Sequence, residues 1–173
     1  MGSEFVGKGV NIALGPAMNM ARLAQGITKR ILITRDVLTP VFLTGGRIWE
    51  SFGGDPFLAG ETAYETILGL QQSGVQACAK HWINNEQEYG REQATSQVDD
   101  RTQHEVYAYP FLRSVMAGVT AIMCSYSKRF TRACVRFNVL TLLLDLINNT
   151  YSCENDKLMN DVLKREFGFQ GRG

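Results

Sequence analysis

Lys80 and His81 stand side by side where a short apolar run, VQACA (75–79), gives way to a polar, carboxylate-bearing segment, HWINNEQE (81–88). Lysine brings three donors and no acceptor, and histidine brings a ring nitrogen on either side. As neighbours on a strand they should point to opposite faces. Such a pair suits a ligand rich in hydroxyl groups. Arg47, within GRIWE (46–50), is a further charged donor, and charged donors make stronger hydrogen bonds than neutral ones. The plainer reading is a strand end that solvates two polar side chains, with Arg47 in a surface ion pair. Glu86, Glu88 and Glu92 invite assignment as an acid/base pair. They lie in a polar stretch without an apolar pocket to raise a carboxyl pKa, so a solvated or salt-bridged loop is the expected role.

The elements that must position these residues are legible from periodicity. The run 75–79, bounded by Gly74 and by charge, reads as a buried parallel strand. VNIAL (10–14) and VTAIMCSY (119–126) read as two more, the latter carrying Met123 and Tyr126. GETAYETILGLQQSG (60–74) reads as a helix. Thr62 and Glu65 have capping-box spacing, Tyr64, Ile67, Leu68 and Leu70 give an apolar face, and Gly74 suits the position after the end. Asp99 or Asp100 caps a second helix through His104 and Tyr107. Pro110 kinks that helix or starts a new one, and Gly118 ends it. Asn155 caps a last helix, DKLMNDVLKREFG (156–168). This β-α-β-α-β-α order is an α/β fold with a parallel sheet and crossover helices. Pattern alone leaves a doubly wound sheet and a barrel both open.

Bulk properties exclude several classes. The chain of 173 residues suits one domain, and 18 Lys+Arg stand against 17 Asp+Glu without a basic stripe, so no nucleic-acid partner is expected. The strongest apolar run, VLTLLLDLI (139–147), contains Asp145 and falls well short of the roughly 18 residues of a membrane span. The four cysteines lack paired metal spacing, so no metal site is expected. Asn148-Asn149-Thr150 is a glycosylation acceptor sequence. The start shows no signal-peptide pattern, and MGSEF (1–5) reads as a cloning-vector remnant, set aside from fold reasoning.

Four blocks carry a resemblance. GVNIALGPAMNM (9–20), the stretch 45–88 from GGRIWE to NNEQE, VDDRTQHEVYAYPFLRSVMAGVTAIMCSY (98–126) and NNTYSCENDKLMNDVLKREFGFQG (148–171) are similar, in order, to consecutive blocks of the glycoside hydrolase family 3 β-glucosidases of fungal type. Ordered blocks over most of a chain are far more specific than one short motif. The resemblance implies a partial (β/α)8 barrel of the triosephosphate-isomerase type, about half of it. Open parallel edges then imply marginal stability. It implies a parent enzyme that is secreted and extracellular, needs no cofactor, and releases terminal β-D-glucosyl residues from β-glucosides or cello-oligosaccharides with retention. Such chemistry needs a carboxylate nucleophile and an acid/base about 5 Å apart. The family nucleophile is an aspartate in a Ser-Asp-Trp motif shortly after GFQG, expected just beyond Gly173, and the acid/base belongs to a later domain. No catalytic residue is therefore expected in this chain, which should be inactive. The alternatives are a non-catalytic sugar-binding fragment, from which half a barrel is expected to bind nothing, and a cloning product without a function of its own. The family motifs assign Arg47, Lys80 and His81 to glucose hydroxyls, Met123 to the pocket lining and Tyr126 to the neighbourhood of the nucleophile. The plainer role for Tyr126 is a core aromatic. The resemblance also implies a Cys124–Cys153 disulfide, with two half-buried thiols as the alternative.

Two segments interrupt the family pattern, 27–45 and 128–145, and residues 6–173 otherwise form one partial domain. Both are basic and apolar, and both contain Val-Leu-Thr, whose codons accommodate a fungal branch point. They read as translated introns. Removing the first gives AQGGRIWE, and removing the second, which splits the codon of Ser127 and rejoins it as an asparagine codon, gives CSYNLINNTYSCEN, the family's own pattern. The two carry an excess of two and three positive charges, so the net charge of +1 becomes −4 without them. Genuine loop insertions are the alternative.

Overall fold

The computed structural model describes residues 1–20, 47–86, 96, 98–125 and 151–171. Both interrupting segments, Glu88, Glu92, Tyr126 and Asn148 lie outside the described residues. Three strands form a parallel sheet in the order β1 (Ile12–Ala13), β2 (Gln76–Trp82) and β3 (Ala121–Cys124). Helix α2 (Pro56–Gln72) lies between β1 and β2 in the chain. A composite helix precedes β3: α3 (Asp100–Thr102), a wide π segment (Gln103–Ala108) and α4 (Tyr109–Met116). The architecture is α/β with a small parallel sheet. The three described strands do not by themselves close a barrel.

Local sequence explains most boundaries. Helix α2 starts at Asp55, not at the Thr62–Glu65 pair. Asp55 Oδ1 accepts from Leu58 N–H at 3.0 Å and Pro56 takes the first helical position, where its missing N–H costs nothing. Thr62 lies inside the helix and donates back to Leu58 O at 2.7 Å. Gly74, at φ +87°, closes the helix with bonds from Gly74 N to Gln71 O and from Val75 N to Leu70 O, a Schellman arrangement. Asp99 caps α3 by accepting from Thr102 N–H, which holds its carboxyl below the usual range. The π segment gives way to α4 beside Pro110, which has no N–H to continue the ladder. Asn155 Oδ1 caps the last helix, the π-helical Lys157–Glu166, through Leu158 N–H at 3.1 Å.

The core lies between the helices and the sheet. Ala59, Ala63, Ile67 and Leu70 form the buried stripe of α2. Along the opposed helix, Arg113 Nη2 donates to Glu61 Oε2 at 2.8 Å and Tyr109 Oη to Glu61 Oε1 at 3.3 Å. Strand β2, with a neighbour on each side, is buried from Ala77 to Trp82. Trp82 packs edge-on against Phe111 at 5.0 Å and against Phe167 at 6.1 Å, joining the last helix to the core. Residues 1–5, set aside in the sequence reading, contribute to helix α1 (Gly2–Gly7), whose Phe5 packs on the same core.

Candidate functional site

Strand β2 was expected to stop before Lys80, but it continues through Lys80 and His81 to Trp82. Its pairing with β3 slips inside this stretch: Lys80 is level with Met123 and Trp82 with Cys124, leaving His81 as an extra residue. Such a bulge re-aims side chains that strict alternation would send to opposite faces. Lys80 and His81 accordingly converge instead of diverging, and the peptide bond between them is cis. Met123 is half-buried next to Lys80 in the register.

The convergence point is a carboxylate that sequence reasoning missed. Arg47 precedes and Glu50 ends the single turn Ile48–Glu50, which brings residues three apart onto one side. Glu50 takes a bidentate grip from Arg47, Nε to Oε1 at 2.6 Å and Nη2 to Oε2 at 2.8 Å. Lys80 Nζ sits 2.9 Å from Glu50 Oε2. Side-chain exposure is 10% for Lys80 and 15% for Glu50, so water screens this pair weakly. The Arg47 guanidinium above all, then the Lys80 ammonium, holds the Glu50 carboxyl down to about 2, against the upward push of burial. Glu50 is therefore a fixed anion and not a proton donor near neutral pH. The signal available in sequence was the opposite-charge i,i+3 spacing of Arg47 and Glu50.

His81 is held from two sides. Arg47 Nη1 lies 3.1 Å from its Nε2, and Asn19 Oδ1 lies 3.1 Å from its Nδ1. Asn19 also brackets the His81 backbone, with Nδ2 donating to His81 O at 3.1 Å and Oδ1 accepting from His81 N–H at 3.0 Å. Asn19 ends a segment that runs alongside β2, where Lys80 N donates to Pro16 O and Met18 N to Lys80 O. Beyond His81 the chain is pinned by serines. Ser152 Oγ donates to Trp82 O and accepts from Ile83 N–H, and Ser125 Oγ donates to Ile83 O. Each serine adjoins a cysteine of the Cys124–Cys153 disulfide, so one covalent link sets both clamps.

Arg47, Lys80 and His81 thus meet in one cluster with Met123 at its edge. Glu86 is half-buried on the loop after β2 and takes no part in the cluster contacts described above. The arrangement offers charged donors held in place by a half-buried acid. Its one clamped carboxylate is ill-suited to act as a nucleophile.

Residues 43–172 match the glycosyl hydrolase family 3 N terminal domain. A probable beta-glucosidase L from Emericella nidulans is 42% identical over 171 residues, covering 99% of this chain and 18% of that protein. Beta-glucosidase 2 from Saccharomycopsis fibuligera is 40% identical over 187 residues, covering 99% of this chain and 17% of that protein. The chain therefore spans about a fifth of the length of such relatives. Among solved structures, beta-glucosidase 3B from Thermotoga neapolitana in complex with glucose superposes with a TM-score of 0.74 at 30% identity, over 99% of this chain and 19% of that one. DesR, a beta-glucosidase from Streptomyces venezuelae in complex with D-glucose, gives 0.72 at 30% identity, over 99% and 17%. With the matched domain spanning most of its residues, this chain belongs to glycosyl hydrolase family 3.

Proposed function

We propose that this chain is the sugar-holding portion of the N-terminal domain of a β-glucosidase. The parent activity is removal of terminal non-reducing β-D-glucosyl residues from small β-glucosides or cello-oligosaccharides, with retention and without a cofactor, in a secreted enzyme. The three parallel strands belong, on this reading, to a (β/α)8 barrel whose other strands lie outside the described residues. Arg47, Lys80 and His81 take the glucosyl hydroxyls and Met123 lines the pocket; Tyr126, outside the described residues, is assigned by the family motif to the neighbourhood of the nucleophile. The observation that carries the reading is the convergence of Arg47 and Lys80 on Glu50, with His81 locked beside them. Half a barrel alone argued against binding. A cluster already assembled around a half-buried anion argues for it, because little ordering remains to oppose a ligand.

The experiment is a glucose titration of the chain followed by amide and side-chain chemical shifts. Saturable changes at Arg47 and His81, lost in a folded Lys80→Ala variant, are expected. No change at any glucose concentration overturns the reading. The sequence contains no Ser-Asp-Trp motif. Turnover of a nitrophenyl β-glucoside by the pure chain is accordingly expected to be nil, and measurable turnover would show that the nucleophile has been misassigned.

A further inference from the structure

We propose that Asn19 is a positioning residue that holds His81 as the neutral Nδ1–H tautomer, leaving Nε2 as a hydrogen-bond acceptor. A peptide N–H can only donate and a peptide carbonyl can only accept. His81 N–H meets one end of the Asn19 amide at 3.0 Å, and His81 O meets the other at 3.1 Å. These two bonds fix which end of the amide is oxygen. That oxygen lies 3.1 Å from His81 Nδ1, and an amide oxygen has no hydrogen to give, so Nδ1 must carry one. On the far side of the ring, Arg47 Nη1 is 3.1 Å from Nε2. A guanidinium has no acceptor, so Nε2 must be bare. Two independent neighbours, one of them 62 residues away in sequence, demand the same tautomer.

The partner of one ring nitrogen sets what the other can do. His81 is 5% exposed, so water offers little competition. The functional consequence rests on the sugar-site reading: the single lone pair of Nε2 accepts from Arg47, so a hydroxyl reaches Nε2 only by displacing Arg47, and then as the donor. Asn19 thereby determines how the site reads that hydroxyl, although it faces the histidine and not the sugar.

The test is a two-bond proton–nitrogen correlation spectrum of the histidine-labelled chain above neutral pH. The chain has two histidines, and the His104→Gln variant identifies the His81 signals by elimination. A protonated Nδ1 and a bare Nε2 are expected. An Nε2–H pattern or a doubly protonated ring in the unsubstituted chain overturns the proposal, and that reading depends on no Asn19 variant folding. In folded Asn19→Ala the Nδ1–H pattern should give way to mixed tautomers. Asn19→Asp retains an acceptor oxygen and should restore it. Persistence of the pattern in folded Asn19→Ala also overturns the proposal. Loss of glucose binding with the tautomer intact defeats only the sugar-site reading, so the two failures are separable.

Discussion

Glu50 and Lys80 are joined across 30 positions of sequence by an ion pair of 2.9 Å, and that contact links the turn after residue 47 to the central strand. With Arg47 on the same carboxylate, one anion organises two cations. Replacing it by a neutral isostere, Glu50→Gln, leaves Arg47 and Lys80 close together without their shared counter-charge. Breaking such a pair in a largely buried setting costs about 3 kcal/mol. The urea midpoint should fall by that equivalent with an unchanged slope. A variant as stable as the parent would show that the cluster contributes nothing to folding.

Acid should reproduce the effect without mutation. The Glu50 carboxyl is held at about 2 in the fold, against an ordinary 4.5. A depressed folded-state value stabilises fully above 4.5 and is lost as pH falls from there towards 2, with roughly 3 kcal/mol at stake. Stability measured over that window should decline steeply in the unsubstituted chain and less in Glu50→Gln.

His104 predicts the opposite slope. It bonds to Asp100 O at 2.7 Å and to Glu166 Oε2 at 3.2 Å, tying α3 to the last helix. The Asp100 carbonyl first, then the Glu166 carboxylate, raises its pKa above the ordinary 6.5, with desolvation opposing. Its contribution is complete below 6.5 and disappears as pH rises through the higher folded-state value. The expected size is under about 1 kcal/mol, since the partners are solvated. A His104→Gln variant should lack this decline on the alkaline side, as read by urea unfolding at a series of pH values.

Helix α4 comes close to α2 at Gly60. A methyl there would meet Tyr109 Cε1 at 2.8 Å and Arg113 Cγ at 3.0 Å. Glu61 anchors both side chains, so neither moves freely. Alanine favours helices by about 1 kcal/mol over glycine. The clash should outweigh that gain, and Gly60→Ala is expected to destabilise by about 1 kcal/mol in denaturant titration.

Reduction tests the covalent link. Cys124 and Cys153 are 29 positions apart, and closing a loop of that length restricts the unfolded chain by about 3.5 kcal/mol. The Ser125 and Ser152 clamps on Trp82 and Ile83 adjoin the link. Thermal unfolding with and without reductant should therefore differ markedly, and the reduced chain should show altered amide signals at residues 82 and 83.

Residue type made part of this site legible and topology hid the rest. Arg47, Lys80 and His81 stand out because charged donors beside an apolar run are conspicuous. Glu50 was in plain sight within GRIWE, but its meaning depends on a single turn that periodicity does not detect. Asn19 carries no local signal, since its partner is 62 residues distant. The start of α2 was misplaced because Thr62 and Glu65 mimic a capping box, whereas the informative pair was Asp55 followed by Pro56. The convergence of Lys80 and His81 could not be read from a strand period of two, because the β2–β3 slip breaks that period at the site itself.

That slip makes β3 a ruler for the site. What faces Glu50 is decided by counting along two strands together, and the count differs by one between Lys80 and Trp82. A one-residue deletion in this part of β2 would bring the strands back into step and change which of the two side chains meets Glu50, even with every other residue kept. Conversely, point substitutions on the outer face of β3 leave the count untouched. The site is written in the alignment of two strands as much as in the letters of either, and grafting the Lys80–His81 pair onto another sheet would carry its chemistry only if the mismatch travelled with it.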